Sequence, residues 1–211
     1  MEVALRRLEA ASELAAYGLV PGYRPKRVVG EEGGFWALVE GFLEEGKWKG
    51  ELVWTGRALD LAIEGEGWFV VLSPEGPLLT RRGDFRLSPE GLLVTPEGYP
   101  VLGEKGPIRL SSGEAVVRED GTVIEGGEVK GRIRVVRASG LKRVSPLYYT
   151  ASSLSPSTAR VRGGYLEFPE GWSERALSMA ALAVRAFEAS AAVSSASHTA
   201  AESLIRAAMG R

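Results

Sequence analysis

Three four-residue turns of nearly one design punctuate the middle of this chain: Ser73-Pro74-Glu75-Gly76, Ser88-Pro89-Glu90-Gly91 and Thr95-Pro96-Glu97-Gly98. Each sets a hydroxyl residue first, a proline second and a glycine fourth, the order a type I turn prefers. Proline presets φ and removes an N–H, so no long helix runs through this stretch. The short apolar runs between Ala58 and Leu102 (ALDLAI, WFVVL, PLLTRR, FRL, LLVT, YPVL) therefore read as short strands that pair as antiparallel hairpins. Further strands are expected at Ala115 to Arg118, Thr122 to Ile124 and Arg132 to Val136, before Ser-, Pro- and Thr-containing loops near 145–158. Residues 57–170 thus form a mainly β middle domain of short antiparallel strands and hairpins.

The flanks carry a different period. Residues 1–56 read as an N-terminal helix and a connecting segment, with Ala4, Leu8, Ala11 and Ala15 on one face of a helix that Gly18 and Pro21-Gly22 end. A short amphipathic helix is expected around Phe35, Leu38, Val39 and Phe42, bounded by glycines. Residues 171–211 read as a C-terminal assembly helix, with Ser173 as N-cap and Glu174 in the first turn. Leu177, Ala180, Val184, Phe187, Ala191, Ser194, His198, Ala201, Ile205 and Ala208 alternate three- and four-residue steps, the spacing of a coiled-coil seam. A second stripe through Leu182, Ala186, Ala189, Val193, Ala196 and Ala200 lets several helices approach. The N- and C-terminal helices are expected to pack as a coiled-coil-like pair.

Charge and composition narrow the chemistry. With 26 basic and 27 acidic residues the net charge is −1, so no overall field favours nucleic acid. There is no cysteine, hence no disulfide, thiol nucleophile or thiolate metal site. Asparagine and glutamine are absent and arginine outnumbers lysine, which fits a thermophile's avoidance of labile amides. No run is long enough for membrane insertion. Arg6, Arg7 and Glu9 interrupt the first apolar stretch, so export is expected without a cleaved signal peptide.

No constellation of catalytic residues stands out, and no catalytic, cofactor-binding or metal site is expected. His198, the single histidine, reaches Ser194 at i,i+4 but lacks an orienting third group, and a polar seam position accounts for it better. Gly65-Glu66-Gly67 has an acid where a phosphate would sit and reads as a hairpin turn. Glu64, Glu66, Asp84 and Glu90 are scattered over turns as solvated surface. Arg132, Arg134 and Arg137 alternate as the wet face of a strand, with Lys142 and Arg143 beyond.

Leu59-Asp60-Leu61-Ala62-Ile63-Glu64-Gly65-Glu66-Gly67-Trp68-Phe69-Val70-Val71 resembles the LDxAIxGxGFFxV opening of bacterial flagellar basal-body rod and hook proteins. The likeness continues in the same order through Thr80 to Leu87 (Arg81, Gly83 and Phe85 of TRxGxFxL), Gly91 to Thr95, and Gly98-Tyr99-Pro100-Val101-Leu102. It extends to Asp120-Gly121-Thr122-Val123, Gly131-Arg132-Ile133, Gly164-Tyr165-Leu166-Glu167, and Arg185-Ala186-Phe187-Glu188-Ala189-Ser190. The family's N-terminal NLANxxTxGYK is represented by Leu14-Ala15-Ala16 and Pro21-Gly22-Tyr23-Arg24, without its asparagines, and Phe168-Pro169-Glu170 replaces SNV.

The resemblance implies a non-enzymatic structural subunit of a flagellar axial structure, of the short rod type, with β domains arranged outside an inner tube of terminal helices. It implies partners among copies of itself, other axial proteins and the flagellar export apparatus. It also implies a place in the bacterial flagellum basal body after a cytoplasmic stage. The alternative is a diverged rod-like paralogue that acts as a monomeric extracellular β-domain binding module outside a working flagellum.

Overall fold

The computed structural model describes residues 12–13, 16–24 and 50–169; the C-terminal seam and the stretch around Phe35 to Phe42 lie outside them. Ser12, Glu13, Ala16 and Tyr17 are helical, and a turn through Gly18 to Gly22 follows.

The β domain is organised by one strand, β3 (Trp68–Ser73), whose run WFVVL is apolar without alternation. Such a run demands cover on both faces, and it has it. Phe69 and Val71 point into a core with Tyr23, Leu61, Ile63, Phe85, Leu93, Val101, Val123 and Val161. Trp68 and Val70 point the other way, into a smaller cluster with Leu79, Val136 and Tyr149. On the first side, Phe69 and Phe85 meet edge to face at 5.2 Å.

β3 is an inner strand of a six-stranded antiparallel sheet ordered β13-β14-β4-β3-β12-β15. Here β4 is Gly76–Thr80, β12 Val135–Ser139, β13 Lys142–Ser145, β14 Tyr148–Thr150 and β15 Ser153–Pro156. The first of the three turns closes the β3–β4 hairpin, with Ser73 opposite Gly76 and the Ser73 hydroxyl donating to the Gly76 carbonyl at 2.8 Å. In the other two, Gly91 N–H donates to Ser88 O at 2.9 Å and Gly98 N–H to Thr95 O at 2.8 Å. Both glycines sit at positive φ, +75° and +92°, where a side chain would be strained. These turns flank β5 (Arg86–Leu87) and β6 (Leu93–Val94), a two-stranded pair; β7 (Leu102–Gly103) and β8 (Gly106–Pro107) form another.

β9 (Val116–Val117), β10 (Thr122–Glu125) and β11 (Glu128–Arg132) form a three-stranded sheet with β10 in the centre. The chain then crosses at Ile133 and Arg134 into β12, so the single strand expected over Arg132 to Val136 is the junction of two sheets. The loops expected near 145–158 contain β14 and β15 instead. The sequence hides β15 because it is fully exposed, with no apolar alternation to mark it, and Pro156 ends it at a sheet edge where no N–H is required.

Two ribbons complete the domain. β2 (Leu61–Glu64) pairs with β16 (Arg160–Gly163), and β1 (Glu51–Trp54) pairs with β17 (Tyr165–Phe168). Gly65-Glu66-Gly67 therefore does not close a hairpin: β2 and β3 belong to different sheets, and the turn carries the chain from one to the other. What holds it is the side chain of Arg81, which donates to the carbonyls of Ile63, Gly65 and Gly67.

Glu125 is the anchor of the 111–112 loop. Its carboxylate accepts the backbone N–H groups of Ser111 (2.8 Å) and Ser112 (2.6 Å) and the Ser112 hydroxyl (3.0 Å). Those backbone donors hold its pKa below the ordinary carboxylate value. A carboxylate with a depressed folded-state pKa adds stability that is present above its unfolded value and lost as pH falls through the folded one. Thermal melts between pH 7 and pH 3 should show stability falling on the acid side, and Glu125→Gln should flatten that fall while leaving a lower plateau at neutral pH.

Candidate functional site

The Arg81 guanidinium, at the end of β4, is 4% exposed, and Glu167 on β17 is 3% exposed. They form a forked ion pair: Nε donates to Glu167 Oε2 at 2.6 Å and Nη2 to Oε1 at 2.7 Å. The remaining N–H groups serve the turn between β2 and β3. Nη2 donates to Ile63 O at 2.8 Å, and Nη1 to Gly67 O at 2.7 Å and Gly65 O at 3.0 Å. A planar guanidinium offers five donors in a fixed fork, and all five are used; lysine has neither the number nor the geometry.

Glu167 ties the terminal segments to this centre. Its carbonyl accepts the Gly22 N–H at 2.7 Å, and its side chain packs so closely on Gly50 that a Cβ there would lie 2.1 Å from Glu167 Cγ. Gly22 lies flat on the Arg81-Arg82 backbone, where a Cβ would meet Arg82 N at 2.2 Å, and its φ is +72°. Gly22, Gly50 and β17 thus all meet beside one buried ion pair.

The N-terminal segment is fastened further by rings and cations. Tyr23 is fully buried, stacks on Tyr17 (centroids 6.1 Å apart) and donates its hydroxyl to Glu13 Oε1 at 3.3 Å. Burial and the Glu13 carboxylate both push the Tyr23 phenol pKa up. Arg143 pairs with Glu13, lies over the Tyr23 ring, and donates to the carbonyls of Arg24 (3.2 Å) and Pro146 (3.0 Å). The Arg24 guanidinium sits 4.5 Å above the centre of the Trp68 ring, a cation–π contact. Burial and the neighbouring Arg81 charge bring its pKa down to about 10.

A second polar chain runs on from Arg82, which contacts Asp84 and Glu97, both at 2.5 Å. Glu97 also accepts the Tyr148 hydroxyl at 2.5 Å. Burial works to raise the Glu97 pKa, but the Tyr148 hydrogen bond and the Arg82 charge hold it below the ordinary value. Asp84 is thus not solvated surface but a partner of Arg82, whereas Glu64, Glu66 and Glu90 are exposed.

The motif positions divide into three kinds. Ile63, Gly65, Gly67, Arg81 and Glu167 form the ion-pair centre. Phe69, Phe85, Leu166, Leu59 and Tyr99 build or pack on the cores, Tyr99 meeting Tyr148 edge to face at 5.4 Å. Gly83, Gly91, Gly98 and Gly164 permit close approach or positive φ; a Cβ on Gly83 would lie 1.6 Å from Leu61 O. Arg185, Phe187 and Glu188 lie outside the described residues, as do all ten seam positions.

Arg143 is the residue that sequence reasoning misplaced. It was grouped with a solvent-facing basic run, yet it is mostly buried against the N-terminal segment, while Arg132, Arg134 and Arg137 are exposed. Its place follows from a contact with Glu13, 130 residues away, which no local pattern reveals. Among the described residues no cluster of three or more His, Asp or Glu side chains could hold a metal ion. A recess of about 690 Å³ beside β12 and β15 mixes Glu104, Glu119 and Asp120 with Arg132, Arg134 and Arg160. Glu119 there pairs with Arg160 (3.5 Å) and Arg162 (2.6 Å), and Glu104 with Arg132 (3.4 Å).

Residues 62–131, about a third of the chain, match the family model described as the flagellar hook protein FlgE/F/G D1 domain. The flagellar basal-body rod protein FlgF of Rhizobium meliloti (strain 1021) is 54% identical over 39 residues, 18% of this chain and 16% of that protein. Over residues 62–131 the chain thus carries a D1 domain of the flagellar hook and rod type. The aligned stretch spans about a sixth of the relative's length.

Proposed function

We propose that this chain is a non-enzymatic structural subunit of a flagellar axial structure, of basal-body rod or hook type, and that it assembles through its terminal segments. The observation that carries this reading is the Arg81–Glu167 pair, which gathers Gly22 of the N-terminal segment, Gly50 and the last strand of the β domain at one point. An axial subunit needs this of its outer domain: the segments that pack with neighbours must leave it at a defined place and angle, or copies cannot repeat one geometry. The polar interactions of this centre are saturated internally, and its purpose is positional rather than chemical. The apolar seam from Leu177 to Ala208 supplies the packing surface, and burial of its Ala, Leu, Val and Phe side chains between copies drives assembly. Its partners are copies of itself and other axial proteins, reached through the flagellar export apparatus, and its place is the basal body.

Deleting residues 173–211 tests this. The expected result is a folded β domain that stays monomeric by light scattering at concentrations where the intact chain forms large particles. Self-association unchanged by the deletion would refute assembly through the terminus.

A further inference from the structure

On the three-stranded sheet, Ile124 of β10 faces Val116 of β9 on one side and Val129 of β11 on the other. Directly paired residues share a face, so these three side chains form one aliphatic row across the sheet, about 10 Å long at the usual strand spacing. The neighbouring residues Val117 and Val123 point to the opposite face, where Val123 is buried in the core. The row itself is open: Val116 is 66% and Val129 67% exposed. The next row on the same face is basic, with Arg118 and Arg132 flanking Thr122.

The sheet's free edge is guarded where its face is not. β11 carries a register shift opposite Val123 and Ile124, with Glu128 and Lys130 on the strand, devices that discourage strand addition. A partner therefore has to lie on the face, and a 10 Å row edged by two arginines suits one amphipathic helix with an acidic border.

Residues 31–45 have that chemistry. Helical spacing puts Phe35, Leu38, Val39 and Phe42 on one side, with Glu45 along its border and Glu31, Glu32, Glu40 and Glu44 adding negative charge. In sequence the stretch lies between Arg24 and Gly50, which are held close to the Arg81–Glu167 pair, Arg24 by Arg143 and Trp68 and Gly50 by Glu167. We infer that residues 31–45 of one copy dock on the Val116–Ile124–Val129 row of a second copy, their carboxylates toward Arg118 and Arg132. This contact between β domains rests on the reading of the chain as a self-assembling subunit.

The cysteine-free sequence makes a direct test available. Intact chains carrying Val129→Cys are mixed with intact chains carrying Phe42→Cys at high concentration and oxidised. The expected result is a mixed disulfide dimer several-fold more abundant than with Ser153→Cys, an exposed control on β15. Arg118→Glu, a surface change that leaves the fold intact by circular dichroism, should reduce that yield several-fold. A yield no higher than the control overturns the proposal. So does a Val129→Cys/Phe42→Cys double variant that closes only within one chain. Loss of this crosslink beside intact dependence on residues 173–211 would remove the docking contact alone. A crosslink in a chain indifferent to that deletion would remove the terminal-assembly reading alone.

Discussion

Glu167→Ala is expected to destabilise the β domain by about 3–5 kcal/mol, the cost of leaving a buried charge without its partner. Arg81 stays enclosed among the carbonyls of Ile63, Gly65 and Gly67, which neutralise part of its charge but cannot replace a carboxylate. Urea denaturation of the intact chain measures the loss as a lower midpoint at nearly unchanged slope. Glu167→Gln should fall between, because its amide oxygen keeps one hydrogen bond while its NH2 faces a donor. Removing both charges together, Arg81→Met with Glu167→Leu, should cost less than the sum of the single changes, although the turn at Gly65 to Gly67 then loses its organiser.

Gly22→Ala addresses the same centre from the N-terminal side. The added methyl meets backbone rather than a movable side chain, 2.2 Å from Arg82 N and 2.4 Å from Arg81 C, and the residue must also hold a φ of +72°. Overpacking and the left-handed conformation together cost about 2–4 kcal/mol. The penalty falls on the attachment of the N-terminal segment, not on the sheets. Amide exchange should therefore rise by roughly a hundredfold at Gly22 and Tyr23, with β3 and β4 protected as before. Protection lost equally across β3 would mean that the segment is part of the global folding unit.

The sequence was most legible where local chemistry decides. The three turns, the buried run Trp68 to Val71, and the hairpin it makes with β4 follow from proline, glycine and unbroken apolarity, and all are present. Legibility ended where partners are distant. Gly65-Glu66-Gly67 resembles a hairpin locally, but its conformation is set by Arg81, and Arg81 by Glu167, 86 residues further on. β15 was missed because an exposed edge strand has no burial pattern to display. The motif resemblance named Arg81 and Glu167 without indicating that they touch, since a motif records residue identity along the chain and not the pairing that requires it.

The N-terminal segment is fastened without amide side chains. Pro21-Gly22-Tyr23-Arg24 is held by a backbone bond to Glu167, a cation over Trp68 and the Glu13–Arg143 pair across Tyr23. Charged and aromatic contacts do the fastening, in keeping with a sequence free of asparagine and glutamine.

In the proposed function the Arg81–Glu167 centre positions the assembling segments. Light scattering and electron microscopy of Gly22→Ala beside the unaltered chain, both with intact sheets by circular dichroism, test it most directly. Ordered assembly lost or strongly reduced in the variant while the β domain remains folded is the expected result; assemblies of unchanged order and yield would contradict it.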